Sequence, residues 1–421
     1  MLVDAWLPRA AATAPQSLAV NNLNYGQLLE EAQRAARQLA ALGVIEGDRV
    51  ALVLAPGEQF AIYFHAVLLI GAVAVPVDPA TAPDQIAART GGARVVVDAP
   101  LESHEDPAAV LLTTHDLSAP AVVIYSSGSS GAAKAVTLSY GNFWWSAAGS
   151  AVALGHSPDE RWLCPLPYSH VGGLSILVRS AIYRGQTLIH ERFDVDAVLS
   201  ALQANDGPTL VSLVPTTLQR LLDAGLREAP NLRWVLLGGG PISEELLEQA
   251  GAASVPVAPS YGMTEACSQI ITRGAPLFCT RVELGEDNEI LVSGPTVAAQ
   301  CQPQLRSGDI GHWGEDGQLE IVGRLSDLII SGGENVAPEV VEAVLAEHPS
   351  VADVAVVGRD DAQWGQSVTA IVVLNDGAAV TADELIEFCR PRLSPHERPK
   401  QIEFRQSLGR TATGKLRRRA L

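Results

Sequence analysis

The sequence predicts an α/β fold: a large N-terminal domain of mostly parallel sheets flanked by helices, carrying a small β subdomain, and a small mobile α+β C-terminal domain. Three observations predict it. As far as Leu237, short apolar β-branched runs alternate with stretches of helical periodicity, the pattern of a parallel sheet with helices on its faces. From Glu289 the runs become short alternating strands, and past Gly323-Arg324 the texture changes to strands and helices in a unit of its own. Finally, 421 residues exceed one ordinary domain, and 47% hydrophobic content suffices for large cores. The division is placed at 1–324 and 325–421.

The elements follow in order. Asn24 to Leu42 reads as a helix: Asn24 caps it, Gln27 holds the reciprocal capping-box position, Leu28, Leu29, Ala32, Ala36 and Leu39 form its apolar stripe, and Gly43 ends it. Arg49 to Leu54 reads as a strand, Gln59 to Ile70 as a helix, and Val73 to Val77 and Arg94 to Val97 as strands. Residues 102–119 look irregular. Ala121 to Tyr125 is a buried strand, Asn142 to Leu154 a helix, and strands end at Pro165, at Pro215 and at Gly238. Glu289 to Ser293 and Gln318 to Val322 make the small β subdomain. The last unit has a helix from Pro338 to Glu347, strands Val351 to Val357 and Val368 to Leu374, and a helix from Thr381 to Arg392, with Thr381 and Glu384 as capping box.

Charge narrows the function. The balance of 29 basic against 47 acidic residues gives −18, which argues against non-specific binding of nucleic acid or anionic membrane. An anionic substrate therefore needs a locally positive site. The five cysteines are odd in number and form no C-x-x-C pair, so they read as reduced thiols of a cytoplasmic protein. The N-terminus lacks the basic n-region of a signal peptide, and no apolar run is long enough to span a bilayer.

The chemistry-bearing stretch is Ser126-Ser127-Gly128-Ser129-Ser130-Gly131-Ala132-Ala133-Lys134, directly after a strand. Glycines admit a ligand close to the backbone, hydroxyls and N–H groups can hold phosphate oxygens, and the lysine supplies countercharge. A plain Ser/Gly linker is the alternative, and the Walker spacing fails, because its second glycine would fall on Ala133. Only three of the 29 basic residues are lysine: Lys134, Lys400 and Lys415. A lysine kept against that bias marks a place where a compact ammonium is needed. Further along the chain, His170 comes after a strand end and precedes a glycine pair, which favours a cleft. Gly238-Gly239-Gly240-Pro241 suits close packing against a flat ligand, or simply a tight turn.

Taken in order, the Ser/Gly/Lys loop, Pro167-x-x-His170, Gly238-Gly239-Gly240-Pro241, Tyr261-Gly262-Met263-Thr264-Glu265, Ser307-Gly308-Asp309, Gly323-Arg324-x-x-Asp327, Gly332-Gly333-Glu334-Asn335 and Gly414-Lys415 resemble the adenylate-forming enzymes. That superfamily comprises acyl-CoA synthetases, adenylation domains and luciferases. Within it, 166–175, 236–241 and 261–269 are most similar to the o-succinylbenzoate–CoA ligases of menaquinone biosynthesis.

The resemblance implies that a carboxylic acid attacks the α-phosphate of ATP·Mg²⁺ and that CoA then displaces AMP. It also implies roles. Ser126, Ser127, Ser129 and Ser130, with Gly128, Gly131 and Lys134, hold the β- and γ-phosphates. Gly239 and Gly240 wall one face of the adenine, and Tyr261, beside Gly262, stacks on the other. Thr264 bonds the α-phosphate and Glu265 holds Mg²⁺. Asp309 accepts the ribose hydroxyls, and Arg324 donates to ribose or phosphate. His170 lines and gates the acyl pocket, with Ser268 and Gln269 as polar contacts. Lys415 bridges the attacking carboxylate and the α-phosphate, and Gly332 and Gly333 line the pantetheine tunnel. Arg179 is a candidate for the acid's second carboxylate, or else a surface arginine on a helix. Lys415 has its own bland alternative, a solvated basic tail with Arg417, Arg418 and Arg419.

The sequence departs from the family pattern in three places. Ala133-Lys134-Ala135 replaces the usual Pro-Lys-Gly, the segment 270–307 is short, and the hinge position falls on Ser326. Another acyl- or aryl-CoA ligase, a carrier-protein-loading adenylation enzyme and a non-catalytic nucleotide binder are the rival readings, and a homodimer is left open. Glu265, Asp309, Arg324 and Lys415 together argue against the non-catalytic one.

Overall fold

The computed structural model describes residues 1–127, 133–361, 364–409, 418 and 421. The chain forms two compact units: Met1–Val282 with Val292–Leu305, and Glu283–Leu291 with Arg306–Leu421.

The first unit holds two main sheets. The nine-stranded sheet runs in the order Ala275–Pro276, Ser268–Thr272, Val257–Met263, Trp234–Leu237, Leu210–Leu213, Arg161–Cys164, Gln186–Ile189, Leu18–Val20, Leu23–Asn24. From Val257–Met263 to Leu18–Val20 every pairing is parallel, and the strands at both margins are antiparallel. The five-stranded sheet, Val95–Val97, Arg49–Leu52, Val73–Pro76, Pro120–Ser127, Ala133–Ser139, is parallel except for its last strand.

Strands of such sheets bury both faces, and their side chains divide between two cores. Trp162 and Cys164 join the larger core and Leu163 the other; Leu236 joins the larger, Val235 and Leu237 the other. The larger core also takes residues from the second sheet and from the helices Tyr25–Ala41, Glu58–Leu69, Tyr140–Leu154 and Val171–Tyr183. Glu58–Leu69 is buried continuously from Phe60 to Leu69, which is why its sequence is apolar all round.

The second unit holds most of a four-stranded sheet, Arg281–Leu284, Glu289–Ser293, Leu305–Trp313 and Leu319–Arg324. Its five-stranded sheet pairs Gly365–Leu374 with Val351–Asp361, Ile329–Ser331 and Gln401–Phe404, and adds Glu334–Val336 at the edge. The helices Pro338–Ala346 and Ala382–Cys389 contribute Val341, Leu345, Leu385 and Cys389 to its core. The contacts thus group 306–324 with the C-terminal residues, where the sequence placed them with 1–324. The helix Pro338–Ala346 packs on the strand Leu319–Arg324, which ties the small sheet to the C-terminal residues.

Several expectations hold locally. Both capping boxes form, Asn24 with Gln27 and Thr381 with Glu384. The helix expected from Asn142 begins at Tyr140, because Ser139 caps it and Asn142 is the reciprocal partner. Residues 102–119, expected to be irregular, contain the short strand Thr114–Asp116, paired with Leu2–Asp4. All five cysteines are free, and among the described residues no helix is long and apolar enough to cross a membrane.

Candidate active site

The site residues of the first unit lie where parallel strands end. Arg161–Cys164 runs into Pro165 to His170, Trp234–Leu237 into Gly238-Gly239-Gly240, and Val257–Met263 into Thr264-Glu265. These strands belong to one sheet, so three motifs far apart in sequence share its carboxyl edge, the usual ligand position in open α/β sheets.

His170 is exposed at the N-cap of Val171–Tyr183. Gly239 turns the chain with φ +81°. At Gly262 the pairing of Val257–Met263 with Ser268–Thr272 shifts register, and a Cβ there would lie 1.7 Å from the Ser268 carbonyl oxygen, so only glycine fits. Thr264–Ala266 forms one 3₁₀ turn, after which Cys267 and Ser268 take positive φ, 52° and 89°. This left-handed pair brings the half-buried Glu265 back beside the hairpin.

The loop lysine emerges from a hairpin. Ala133–Ser139 pairs antiparallel with Pro120–Ser127, Ser126 opposite Lys134, and the Ser126 hydroxyl donates to the Lys134 carbonyl at 3.4 Å. The Lys134 side chain is exposed. Lys134 and Glu265 both act on the Cys301 thiol: burial pushes that thiol up, Lys134 pulls it down and Glu265 pushes it up. The structure therefore brings the loop cation and the candidate metal carboxylate to one place. Gly128, Ser129, Ser130 and Gly131, the Ser127 side chain and Lys415 lie outside the described residues.

Arg179 is not on the surface. It is 1% exposed on Val171–Tyr183, with its Cζ 5.6 Å from the Trp162 ring centre. Its Nη2 donates to Ser146 Oγ at 3.0 Å, and Ser146 donates to the Cys267 carbonyl at 2.7 Å. Its Nε and Nη1 have no hydrogen-bond partner. The titratable groups acting on it, Tyr183 and Cys267, are each pushed up to about 12 by burial and stay neutral. Gln269 is also buried, 2% exposed, its Nε2 donating to Thr272 Oγ1 at 2.9 Å while its Oε1 has no partner.

In the second unit, Asp309 and Arg324 face each other across paired strands, with Arg324 Nε 2.8 Å from Asp309 Oδ1. Asp309 is 5% exposed, a carboxylate held in place for a short-range task. Gly332 and Gly333 form the two-residue turn between Ile329–Ser331 and Glu334–Val336, both with positive φ as such a turn requires. A Cβ on Gly332 would lie 2.8 Å from the Trp364 ring. Lys400, whose Nζ is 5.4 Å from the same ring centre, is the third conspicuous lysine. Trp364 and Lys400 were missed as site residues; the scarcity of lysine was the signal available for the second.

The basic tail is not simply solvated. Arg418 keeps 17% of its side chain exposed and meets Glu339 at 2.9 Å, Glu342 at 2.8 Å and Asp327 at 3.5 Å. Burial opposes its charge, and the three carboxylates outweigh that and hold its pKa up. Asp327 in turn accepts a hydrogen bond at 3.0 Å from Ser326, at the expected hinge.

Comparison with known proteins agrees with this anatomy. The family of AMP-binding enzymes matches residues 7–117 and 92–300, and the AMP-binding enzyme C-terminal domain matches 340–415. The chain belongs to the AMP-binding enzymes, and its class is that of the acyl-adenylate-forming CoA ligases, which use ATP, Mg²⁺ and CoA. Its relatives include the 2-succinylbenzoate–CoA ligase of Bacillus licheniformis, 35% identical over 100% of both chains. That of Listeria monocytogenes is 33% identical over 99% of this chain and 98% of its own. The o-succinylbenzoate CoA synthetase of Bacillus subtilis, solved in complex with the acyl-adenylate intermediate OSB-AMP, is 32% identical with a TM-score of 0.91, over 100% of this chain and 98% of that one. The same enzyme with ATP and magnesium ion also gives 32% and 0.91, over 100% of each chain.

Proposed function

We propose that this chain joins 2-succinylbenzoate to CoA, as a step of menaquinone biosynthesis. The observation that carries the choice of acid is Arg179. Leaving a guanidinium buried with two unused N–H donors costs several kcal/mol. A dicarboxylic acid supplies the missing acceptor: one carboxylate reacts, and the other takes the two donors, directly or through water. Ser268 and the orphan Gln269 carbonyl are the neutral contacts beside it.

In the first half-reaction the free carboxylate attacks the α-phosphorus. The bond to the β-phosphate breaks and pyrophosphate leaves. Lys134, Ser126 and the hydroxyls and N–H groups of 127–131 hold the β- and γ-phosphates, while Gly239, Gly240 and Tyr261 enclose the adenine. Thr264 bonds the α-phosphate, and Lys415 offsets the charge that builds between the two anions. Glu265 suits Mg²⁺, which takes one or two carboxylates together with phosphate oxygens and supplies charge neutralisation there. Asp309 accepts from the ribose hydroxyls, and Arg324 holds Asp309 and donates to ribose or phosphate.

In the second half-reaction the CoA sulfur attacks the acyl carbon, AMP leaves, and the thiol proton passes to solvent. Residues 325–421 turn about Ser326 between the two steps, exchanging Lys415 for the Gly332–Gly333 turn. Trp364 offers a stacking face and Lys400 a phosphate countercharge for the CoA nucleotide. His170 gates the acyl pocket. We place the enzyme in the cytoplasm, where its free thiols stay reduced, and leave a homodimer as its assembly to be tested by light scattering.

A panel of carboxylic acids with ATP, Mg²⁺ and CoA, scored by mass spectrometry of the thioesters, tests the assignment. 2-Succinylbenzoyl-CoA should dominate. Preference for a monocarboxylic acid, or acid transfer to a carrier protein without CoA, would replace this reading.

A further inference from the structure

The hairpin that carries Lys134 ends in an edge strand: Ala133–Ser139 is last in its sheet, so its outer backbone groups have no strand partner. A single side chain supplies one. Gln300 accepts from the Thr137 N–H at 3.3 Å through Oε1 and donates from Nε2 to the Ala135 carbonyl at 3.2 Å, imitating one rung of a sheet. Ala135 is next to Lys134, and stands where the family resemblance expects glycine.

Gln300 is itself firmly placed. It sits in the 3₁₀ turn Ala299–Cys301. Two residues earlier, the Ala298 N–H donates to the Glu265 carbonyl at 2.8 Å. Asn142, buried at the start of its helix, donates from Nδ2 to the Pro295 and Val297 carbonyls at 2.8 and 3.1 Å. Gln302 Nε2 adds bonds to the Gly294 and Val297 carbonyls at 3.1 and 3.0 Å. A short strut therefore runs from the backbone of Glu265 through Ala298 and Gln300 to the strand of Lys134. Cys301, next in the strut, is close enough to feel the charges of both.

We propose that Gln300 is a positioning residue for the triphosphate end of the nucleotide. It sets the separation between the ammonium of Lys134 and the carboxylate of Glu265, and so the fit of phosphate and cation together. Without it, the edge strand is free to move away from the Thr264-Glu265 turn, and the two halves of the phosphate site lose their common frame. The inference rests on the phosphate and cation roles proposed for Lys134 and Glu265.

Its signature is a split between half-reactions. Adenylation needs the β- and γ-phosphates; thioester formation from a supplied acyl-adenylate has none. Gln300→Met keeps the bulk and removes both hydrogen bonds, at an exposed position where folding is spared. The KM for ATP in pyrophosphate exchange should rise roughly three- to tenfold, the scale of one to two lost neutral hydrogen bonds. Thioester formation from acyl-adenylate and CoA should be unchanged. By hydrogen exchange, the Thr137 amide should lose protection. An unchanged KM for ATP, or equal loss in both half-reactions, would overturn the proposal. Lys134→Ala, run alongside, separates the two levels. If it too leaves ATP use unchanged, the phosphate site itself is misassigned; if it alone raises KM, only the strut is refuted.

Discussion

Replacing Arg179 by methionine should make the protein more stable and the enzyme less selective, two effects of opposite sign from one buried charge. In the free protein the guanidinium has one hydrogen bond, to Ser146, and an aromatic face, Trp162, against the desolvation of a full charge. Burial accordingly pulls its pKa down. Hydrophobic replacement of buried ionic groups commonly stabilises by about 1–4 kcal/mol. Losing the Ser146 bond and the ring contact costs about 1 kcal/mol each, which leaves a net gain of up to about 2 kcal/mol. For the substrate the sign reverses. Two charge-assisted hydrogen bonds of about 1.5–3 kcal/mol each sum to about 3–6 kcal/mol, or roughly 10²- to 10⁴-fold in kcat/KM for the dicarboxylic acid. A mono-acid analogue without the second carboxylate should be used as well as before, so the ratio of the two kcat/KM values is the quantity to measure, beside a urea midpoint. An unchanged ratio would refute the substrate role of Arg179. A lowered midpoint would show that the charge is already compensated in the free protein.

Acid should destabilise the first unit early. Burial holds His65 down at about 3 and His115 at about 4, against an ordinary 6.5, so both stay neutral in the fold while the unfolded chain takes up protons. Their contribution is therefore complete above about pH 6.5 and is lost as pH falls toward 4; at pH 5 it has shrunk by roughly 2 kcal/mol per histidine. Urea midpoints at pH 7 and pH 5 should differ accordingly and converge in His65→Leu; equal midpoints in the parent protein would contradict the burial argument. Arg418→Met should slow pyrophosphate exchange more than thioester formation from supplied acyl-adenylate, because Arg418 ties the tail that bears Lys415 to Asp327, Glu339 and Glu342. It should also leave three carboxylates facing one another, so its unfolding midpoint should recover at lower pH. A variant with both half-reactions and the midpoint intact would return the tail to the status of a solvated extension.

What the sequence revealed depended on how local the cause was. Capping boxes depend on four consecutive residues, and both predicted ones form. The three motifs at the sheet's carboxyl edge could be read one by one, since each is a strand end leading into glycine or proline. Their convergence is set by strand order, which no local stretch encodes. Ala133–Ser139 was hidden because Ala133-Lys134-Ala135 continues a glycine-rich loop, and only pairing with residues 120–127 makes it a strand. Arg179 reads as a surface residue by type; its burial comes from the apolar residues that surround it on Val171–Tyr183 and from the packing of Tyr140–Leu154. Gln300 and Arg418 carry no pattern at all, because a glutamine completing a sheet edge and an arginine among three carboxylates are defined by partners 76 to 165 residues away.

The central claim is a two-step ligase whose Lys415 serves only the first step. The measurement that meets it most directly is 2-succinylbenzoate-dependent ATP–pyrophosphate exchange, compared between the parent protein and Lys415→Ala, with CoA-dependent thioester formation from supplied acyl-adenylate measured on the same preparations. Exchange should require the acid and fall by roughly 10²-fold or more in the variant, the cost of one lost transition-state donor, while thioester formation stays nearly intact. Exchange that proceeds without the acid, or equal damage to both half-reactions, would contradict it.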